Sequence, residues 1–185
     1  YVAVFETSTP DTYYVDAEAG NDVSGDGSET APWRTITHAM SEMAGSGLEL
    51  RIASGAYNRA LGEVFPIFMK SGISLSGVDR TATVIQGDGT ANLLQFASTT
   101  QFSTATAIRG LKLTSGQRAI YIDGTASPGT GPLIEDNWLT SNQYGIWITA
   151  ANGGLVQGEV RANLITSNSL AGIYQNVDRG MAQSI

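Results

Sequence analysis

The sequence predicts an all-β fold, a right-handed parallel β-helix of about five coils with a short N-terminal capping helix. Three observations predict it. Segments starting at residues 108, 134 and 160 repeat one pattern 26 residues apart. Most apolar runs after residue 48 are short, alternate with polar residues and are punctuated by some of the 22 glycines. Apolar residues make up 42% of the 185 residues but charged ones only 15%. That balance suits one globular, β-rich domain with a sizeable core better than a charged helical enzyme.

Residues 1–12 read as an N-terminal extension and residues 13–185 as the β-helix domain. Within the extension, Tyr1-Val2-Ala3-Val4-Phe5 is β-prone and Thr7-Ser8-Thr9-Pro10-Asp11 is a loop signal. Two readings of the first strand stand side by side. It packs on its own domain, or it pairs with the sheet edge of a neighbouring subunit. Tyr13-Tyr14-Val15 is a second β-prone piece, and residues 16–34 form a loop rich in Gly, Asp and Asn.

Residues 35–44 have a helical period. Ile36, Ala39, Met40 and Met43 fall at i, i+3, i+4 and i+7, one face of a helix. Thr35 is the expected N-cap and Gly45 and Gly47 the stop. From Leu48-Glu49-Leu50-Arg51-Ile52 onward the period changes to two, as in Ile73-Ser74-Leu75, Leu111-Lys112-Leu113 and Ile120-Tyr121-Ile122. Runs this short at regular spacing call for a repeat architecture.

The repeat is specific. Ile108-Arg109-Gly110-Leu111-Lys112-Leu113-Thr114-Ser115-Gly116 aligns with residues 134–142 and again with residues 160–168. Each copy is followed by a second apolar run: Ala119 to Ile122, Gly145 to Ile148, and Gly172 to Tyr174, the last arriving one residue late. One coil per repeat stacks equivalent residues about 4.8 Å apart in parallel ladders. Ile108, Ile134 and Val160 then stack inside, as do Leu113, Leu139 and Ile165. Thr114, Thr140 and Thr166 form a ladder beside Ser115, Ser141 and Ser167, and Asn137 lies under Asn163. A leucine-rich repeat needs a pattern that is absent, whereas two antiparallel hairpins per repeat would also span 26 residues. No coil buries its own inner face, so several must stack.

Further motifs occur in order through residues 13–77: Tyr13-Tyr14-Val15-Asp16, Gly20-Asn21-Asp22, Gly25-Asp26-Gly27-Ser28, Pro32-Trp33-Arg34-Thr35-Ile36, Gly55-Ala56-Tyr57, Gly62-Glu63, Phe65-Pro66-Ile67 and Ile73-Ser74-Leu75-Ser76-Gly77. They resemble the uncharacterised domain that opens many bacterial and archaeal cell-surface β-helix proteins, of the pectate-lyase-like superfamily. The ordered motifs cover about a third of the chain. The resemblance implies that the helix at residues 35–44 caps the N-terminal end of the solenoid, and it implies export. It assigns no activity, because fold does not fix function.

Composition excludes several classes. The net charge is −7 with ten scattered basic residues, which argues against a nucleic-acid partner. There is no Cys, hence no disulfide, Cys-ligated zinc or Cys nucleophile. No apolar run approaches a membrane span. The chain starts at Tyr1 and not at Met, which reads as a processed product with any signal peptide removed.

Candidate chemistry is sparse. His38 is the single His and sits on the cap helix, away from the coil faces, so it serves structure. Asp16, Asn21, Asp22 and Asp26 crowd one Gly-rich loop. They are the candidate Ca²⁺ ligands, although Asx turns explain the same residues. No other cofactor is expected. Arg109, Glu135 and Arg161 align as an outward ion-pair ladder, and the repeat does not pair Asp123, Asp136 and Asp178. Glycosidases need two carboxylates placed together. Tyr121, Trp147 and Tyr174 align as an outward aromatic row, able to stack on sugar rings or enter a protein interface.

The expected function is a secreted, non-catalytic structural or binding module of a cell surface or filament, self-associating through Tyr1 to Phe5 and the coil ends or binding another surface protein. The alternative is a carbohydrate-binding, lyase-like or glycoside-hydrolase-like β-helix acting on a polysaccharide. The last coil at Ile185 lacks a polar cap, so a following segment or a neighbouring subunit is expected to cover it.

Overall fold

The structure is a computed structural model that describes residues 12–97, 100–125, 128–151, 154–178 and 181–183. Strand β1 (Thr12–Val15) and helix α1 (Ile36–Glu42) precede five coils. The first coil holds β2 (Leu48–Ile52), β3 (Gly55–Tyr57) and β4 (Ile67–Phe68). The second holds β5 (Ile73–Gly77), β6 (Thr83–Gln86) and β7 (Leu94–Phe96). The third holds β8 (Ala107–Arg109), β9 (Lys112–Thr114), β10 (Arg118–Asp123) and β11 (Pro128–Thr130). The fourth holds β12 (Leu133–Glu135), β13 (Trp138–Thr140), β14 (Tyr144–Ala151) and β15 (Leu155–Gln157). The fifth holds β16 (Glu159–Arg161), β17 (Leu164–Thr166), β18 (Ala171–Asp178) and β19 (Met181–Gln183).

Equivalent strands of successive coils pair in parallel. They form one six-stranded sheet (β1-β2-β5-β8-β12-β16), two five-stranded sheets (β3-β6-β9-β13-β17 and β4-β7-β10-β14-β18) and a three-stranded sheet (β11-β15-β19). This is the parallel solenoid that the repeat predicts, and the hairpin alternative falls. Ile108 pairs with Ile134, and Ile134 with Val160. Leu113, Leu139 and Ile165 stack likewise, as do the three Thr beside them.

The repeat is visible only in the later coils because the early ones differ in length. Leu50 pairs with Leu75, and Leu75 pairs with Ile108. The second of these coils carries a longer connection through residues 97–106, which moves the register by several residues without breaking the stack. Loop length is cheap in free energy, so periodicity is lost from the sequence while the ladder survives.

Left-handed backbone conformations make the corners. Gly110, Asp136 and Ala162 sit at φ 67°, 53° and 55° between the first and second strands of their coils, and Ser115, Ser141 and Ser167 sit at 58°, 58° and 54° between the second and third. A single residue in this conformation turns the chain sharply. It also leaves nearby backbone groups without strand partners, and buried groups must find others. Asn supplies them. Asn137 Nδ2 donates to Ile108 O and Glu135 O, its Oδ1 accepts from Leu111 N–H, and its amides reach Asn163 Oδ1. Asn142 repeats this at the next corner with Leu113 O, Thr140 O, Gly116 N–H and Asn168 Oδ1. The first of these ladders is the expected Asn stack, and the second is its twin.

The N-terminal end is closed. Ile36, Ala39, Met40 and Met43 are buried over the first coil, and Trp33 stacks on Tyr13 at 5.3 Å. The free side of β1 is already hydrogen-bonded, through Tyr14 N–H to Gly27 O, Trp33 N–H to Tyr14 O and Asp16 N–H to Trp33 O. The helix is shorter than residues 35–44. It ends at Glu42, with Met43 as C-cap and Thr35 as N-cap, the Thr35 hydroxyl accepting from His38 N–H. Because its seven residues carry no acid in the first turn and no base in the last, the charges come from outside. Asp22 accepts from the amides of Arg34 and Thr35, and Glu63 from those of Ile36 and Thr37. Lys70 Nζ donates to Ser41 O and Met43 O at the other end. Negative charge at the start and positive charge at the end oppose the helix dipole.

The C-terminal end is open. Among the described residues β16, β17 and β18 are each the last strand of their sheets. Ile173 occupies the inward row of Ile120 and Ile146. Those two are fully buried, yet Ile173 is 43% exposed.

Candidate functional site on the outer coil faces

The sheet containing β10, β14 and β18 presents a continuous outward row. Registers place Phe68, Gln95, Tyr121, Trp147 and Tyr174 at one position in five successive coils. Tyr121, Trp147 and Tyr174 therefore stand where the repeat puts them, and outside, because their Ile neighbours point in. Arg118 and Tyr144, paired with one another, form the adjacent row. The repeat encodes this second pair at the same 26-residue interval, and the sequence reading missed it. Phe68 and Gln95 could not be found that way, since the early coils differ in length.

The rings contact one another along the axis. Trp147 and Tyr174 have centroids 4.4 Å apart, and Tyr144 meets Trp147 edge-on at 4.4 Å. The Arg118 guanidinium lies 4.1 Å over the Trp147 ring and 5.2 Å from that of Tyr121. Arg118 also donates to Asn92 Oδ1 and Gln117 Oε1. Much of the ring-face area is thus occupied by neighbours, and the cluster offers edges, hydroxyls and planar amides outward. Tyr121 Oη lies 3.2 Å from Thr149 Oγ1, which donates to Asp123 Oδ1.

The six-stranded sheet presents charges instead. Glu135 lies between Arg109 at 3.6 Å and Arg161 at 2.7 Å, so the three form the expected ion-pair ladder. Its neighbour Asp136 is held by Arg80 at 2.9 Å. Arg80 belongs to the second coil and also reaches Ala162 O in the fifth, a long-range strut that no spacing rule announces. Both adjacent carboxylates are thereby engaged with guanidinium groups.

The acidic loop spends its oxygens on turns. Asp16 Oδ1 accepts from Glu18 and Ala19 N–H, Asn21 Oδ1 from Val23 and Ser24 N–H, and Asp26 Oδ1 from Ser28 N–H. Hydrogen bonds from the Ser28 side chain and backbone hold the Asp26 carboxyl below its ordinary value. Asp22 points to the helix and also accepts from the Thr35 hydroxyl. Among the described residues no three His, Cys, Asp or Glu side chains are gathered so as to hold a metal ion. His38 meets the edge of Trp33 at 5.8 Å.

Tyr1, Val2, Ala3, Val4 and Phe5 lie outside the described residues. No described helix is long and apolar enough to cross a membrane.

Residues 18–100 match the family described as "Protein of unknown function (DUF1565)". That stretch contains the acidic loop, the capping helix and the first two coils. No curated protein and no solved structure matches the chain.

Proposed function

We propose that this β-solenoid is a secreted, non-catalytic structural or binding module of a cell surface, working through its rigid outer faces and its coil end. The observation that carries this reading is the way the coils align side chains. They stack aromatics on aromatics and acids between arginines, and Glu135 and Asp136 are each held by a guanidinium group. A glycosidase needs one carboxyl to give a proton and a second to act as base or nucleophile. Both must be free to face a substrate. The surface-protein context and the pectate-lyase-like superfamily belong to the same reading, supported by the ordered motifs of residues 13–77.

A second reading is binding of a polysaccharide without turnover. The Arg118–Trp147–Tyr174 cluster favours it, because sugars bind through ring contacts combined with planar hydrogen-bonding groups. One experiment separates these readings from an enzyme. The full chain is incubated with neutral and acidic polysaccharides, while chain cleavage and retardation in polysaccharide-containing gels are followed. The expected result is no cleavage. Retardation lost in Trp147→Ala supports the binding reading, and release of shortened chains overturns the non-catalytic one.

A further inference from the structure

The open end of the solenoid is specific about what fits it. β18 is the longest strand at that end, and its outer edge carries no partner among the described residues. Ile173 at 43% exposure breaks an inward row that is otherwise buried, and Tyr174 at 39% ends the outward aromatic row. Leu164 and Leu170 are exposed on the same end, at 44% and 63%. An exposed edge with apolar side chains on both faces is a template for strand addition. The strand that suits it alternates a β-branched residue inward with an aromatic outward.

Tyr1-Val2-Ala3-Val4-Phe5 has that alternation. Laid parallel to β18 with Val4 over Ile173, it puts Phe5 over Tyr174. Both the buried row and the aromatic row then continue by one rung. The six-stranded sheet runs from β1 at the closed end to β16 at the open end. A strand added beyond the fifth coil therefore lies six rungs from β1, roughly 29 Å along the axis at the usual strand spacing. The chain from Phe5 to Thr12 spans at most about 25 Å when fully extended, and it must also pass around to another sheet. A molecule cannot cover its own end with this segment.

We infer that Tyr1 to Phe5 of one molecule adds as a strand to the free edge of β18 in a second copy. This rests on the structural-module reading above and names its partner. Donor and acceptor lie at opposite ends, so the contact is head-to-tail and propagates into a chain of molecules. The closed N-terminal end does not obstruct it, since the donor segment precedes β1.

The test uses two full-length variants and sedimentation velocity. Val4→Asp spoils the donor strand but keeps the edge, and Ile173→Lys spoils the edge but keeps the strand. Circular dichroism checks that each is folded. The wild type is expected to form oligomers that grow with concentration, and each variant alone is expected to be a monomer. An equimolar mixture of the two should give a heterodimer and nothing longer, because only one productive contact remains. A monomeric wild type at the highest attainable concentration, a Val4→Asp variant that assembles like wild type, or a mixture that stays monomeric overturns the proposal. Assembly that persists in Val4→Asp removes the strand route but leaves the structural module standing. Polysaccharide cleavage removes the module reading without bearing on the strand.

Discussion

Asn142 donates its side-chain amide to Oδ1 of Asn168, 3.1 Å away and one coil further on. The same amide group serves Leu113 O and Thr140 O, while its Oδ1 takes Gly116 N–H. Asn142 is almost fully buried, so water cannot replace these bonds. Asn142→Ala is therefore expected to destabilise the fold by about 3 kcal/mol or more, at ~1–3 kcal/mol for each buried group left bare. Asn168→Ala, half-buried at the open end, should cost clearly less. Urea unfolding of both variants measures the difference, and equal losses would contradict the argument.

The ion ladder should behave in the opposite way. Glu135 has two arginine partners, but both of these are largely exposed. Surface pairs are worth roughly 0–1 kcal/mol and are screened by salt. Glu135→Gln should lower stability by less than about 1 kcal/mol, and the loss should fade in high salt. Melting curves at low and high ionic strength read this directly.

Corner geometry predicts a contrast between equivalent positions. A Cβ added at Gly110 would lie 2.3 Å from Gly77 O, a backbone atom with nowhere to go. Gly110→Ala should cost about 2–3 kcal/mol as an overpacked site. Ala162 holds the same left-handed conformation, at φ 55°, on an exposed corner. Ala162→Gly should stabilise by a few tenths to about 1 kcal/mol, since relief of strain outweighs the added chain entropy. Thermal unfolding of the pair checks the sign of each.

Two kinds of carboxylate should shape the pH profile. Hydrogen bonds from the Thr81 backbone and side chain lower Asp79, and those from the Thr90 side chain and backbone lower Asp88, both from 3.8. A depressed group stabilises the fold above its ordinary value, and that contribution is lost as pH falls through the folded value. Asp79→Asn with Asp88→Asn should flatten the acid limb of stability against pH. Burial pushes Glu63 above its ordinary 4.5, more strongly than the Thr37 hydroxyl and the Ile36 and Thr37 amides pull it down. Its contribution has the reverse sign, present below the ordinary value and lost as pH rises through the folded one. Glu63→Gln should flatten that higher limb instead. Stability measured across the acid range in each variant separates the two.

The capping helix should depend on residues far from it in sequence. Glu63→Ala leaves the amides of Ile36 and Thr37 without their acceptor. It should cost about 2 kcal/mol, the range for charged hydrogen bonds. Faster hydrogen exchange confined to α1 and the first coil would verify the location. Uniform loss of protection throughout the solenoid would argue against a local cap.

Much of the later solenoid was legible in the sequence. Inward Ile and Leu, outward aromatics, the Arg109–Glu135–Arg161 ladder and the Thr35 cap all follow from period two, a 26-residue interval and cap chemistry. These are local rules, so a chain segment carries them by itself. The aromatic site was legible in part. Tyr121, Trp147 and Tyr174 were found by spacing, but Arg118 and Tyr144 were passed over although they share it.

The rest needed three dimensions. Coil length varies in the first half, so nothing in the local pattern sets Phe68 and Gln95 under Tyr121. The contact of Gly77 with Gly110, the reach of Arg80 to Asp136 and the hold of Glu63 on the cap each join segments far apart in sequence. Such contacts depend on the path of the intervening loops, which a periodic pattern does not record. The sequence by itself determined which side chains stack and which way they face, because a strand's alternation and a coil's period are written residue by residue. Only the tertiary structure decided that one end is closed and the other open, because that depends on which edges find partners once all five coils are in place.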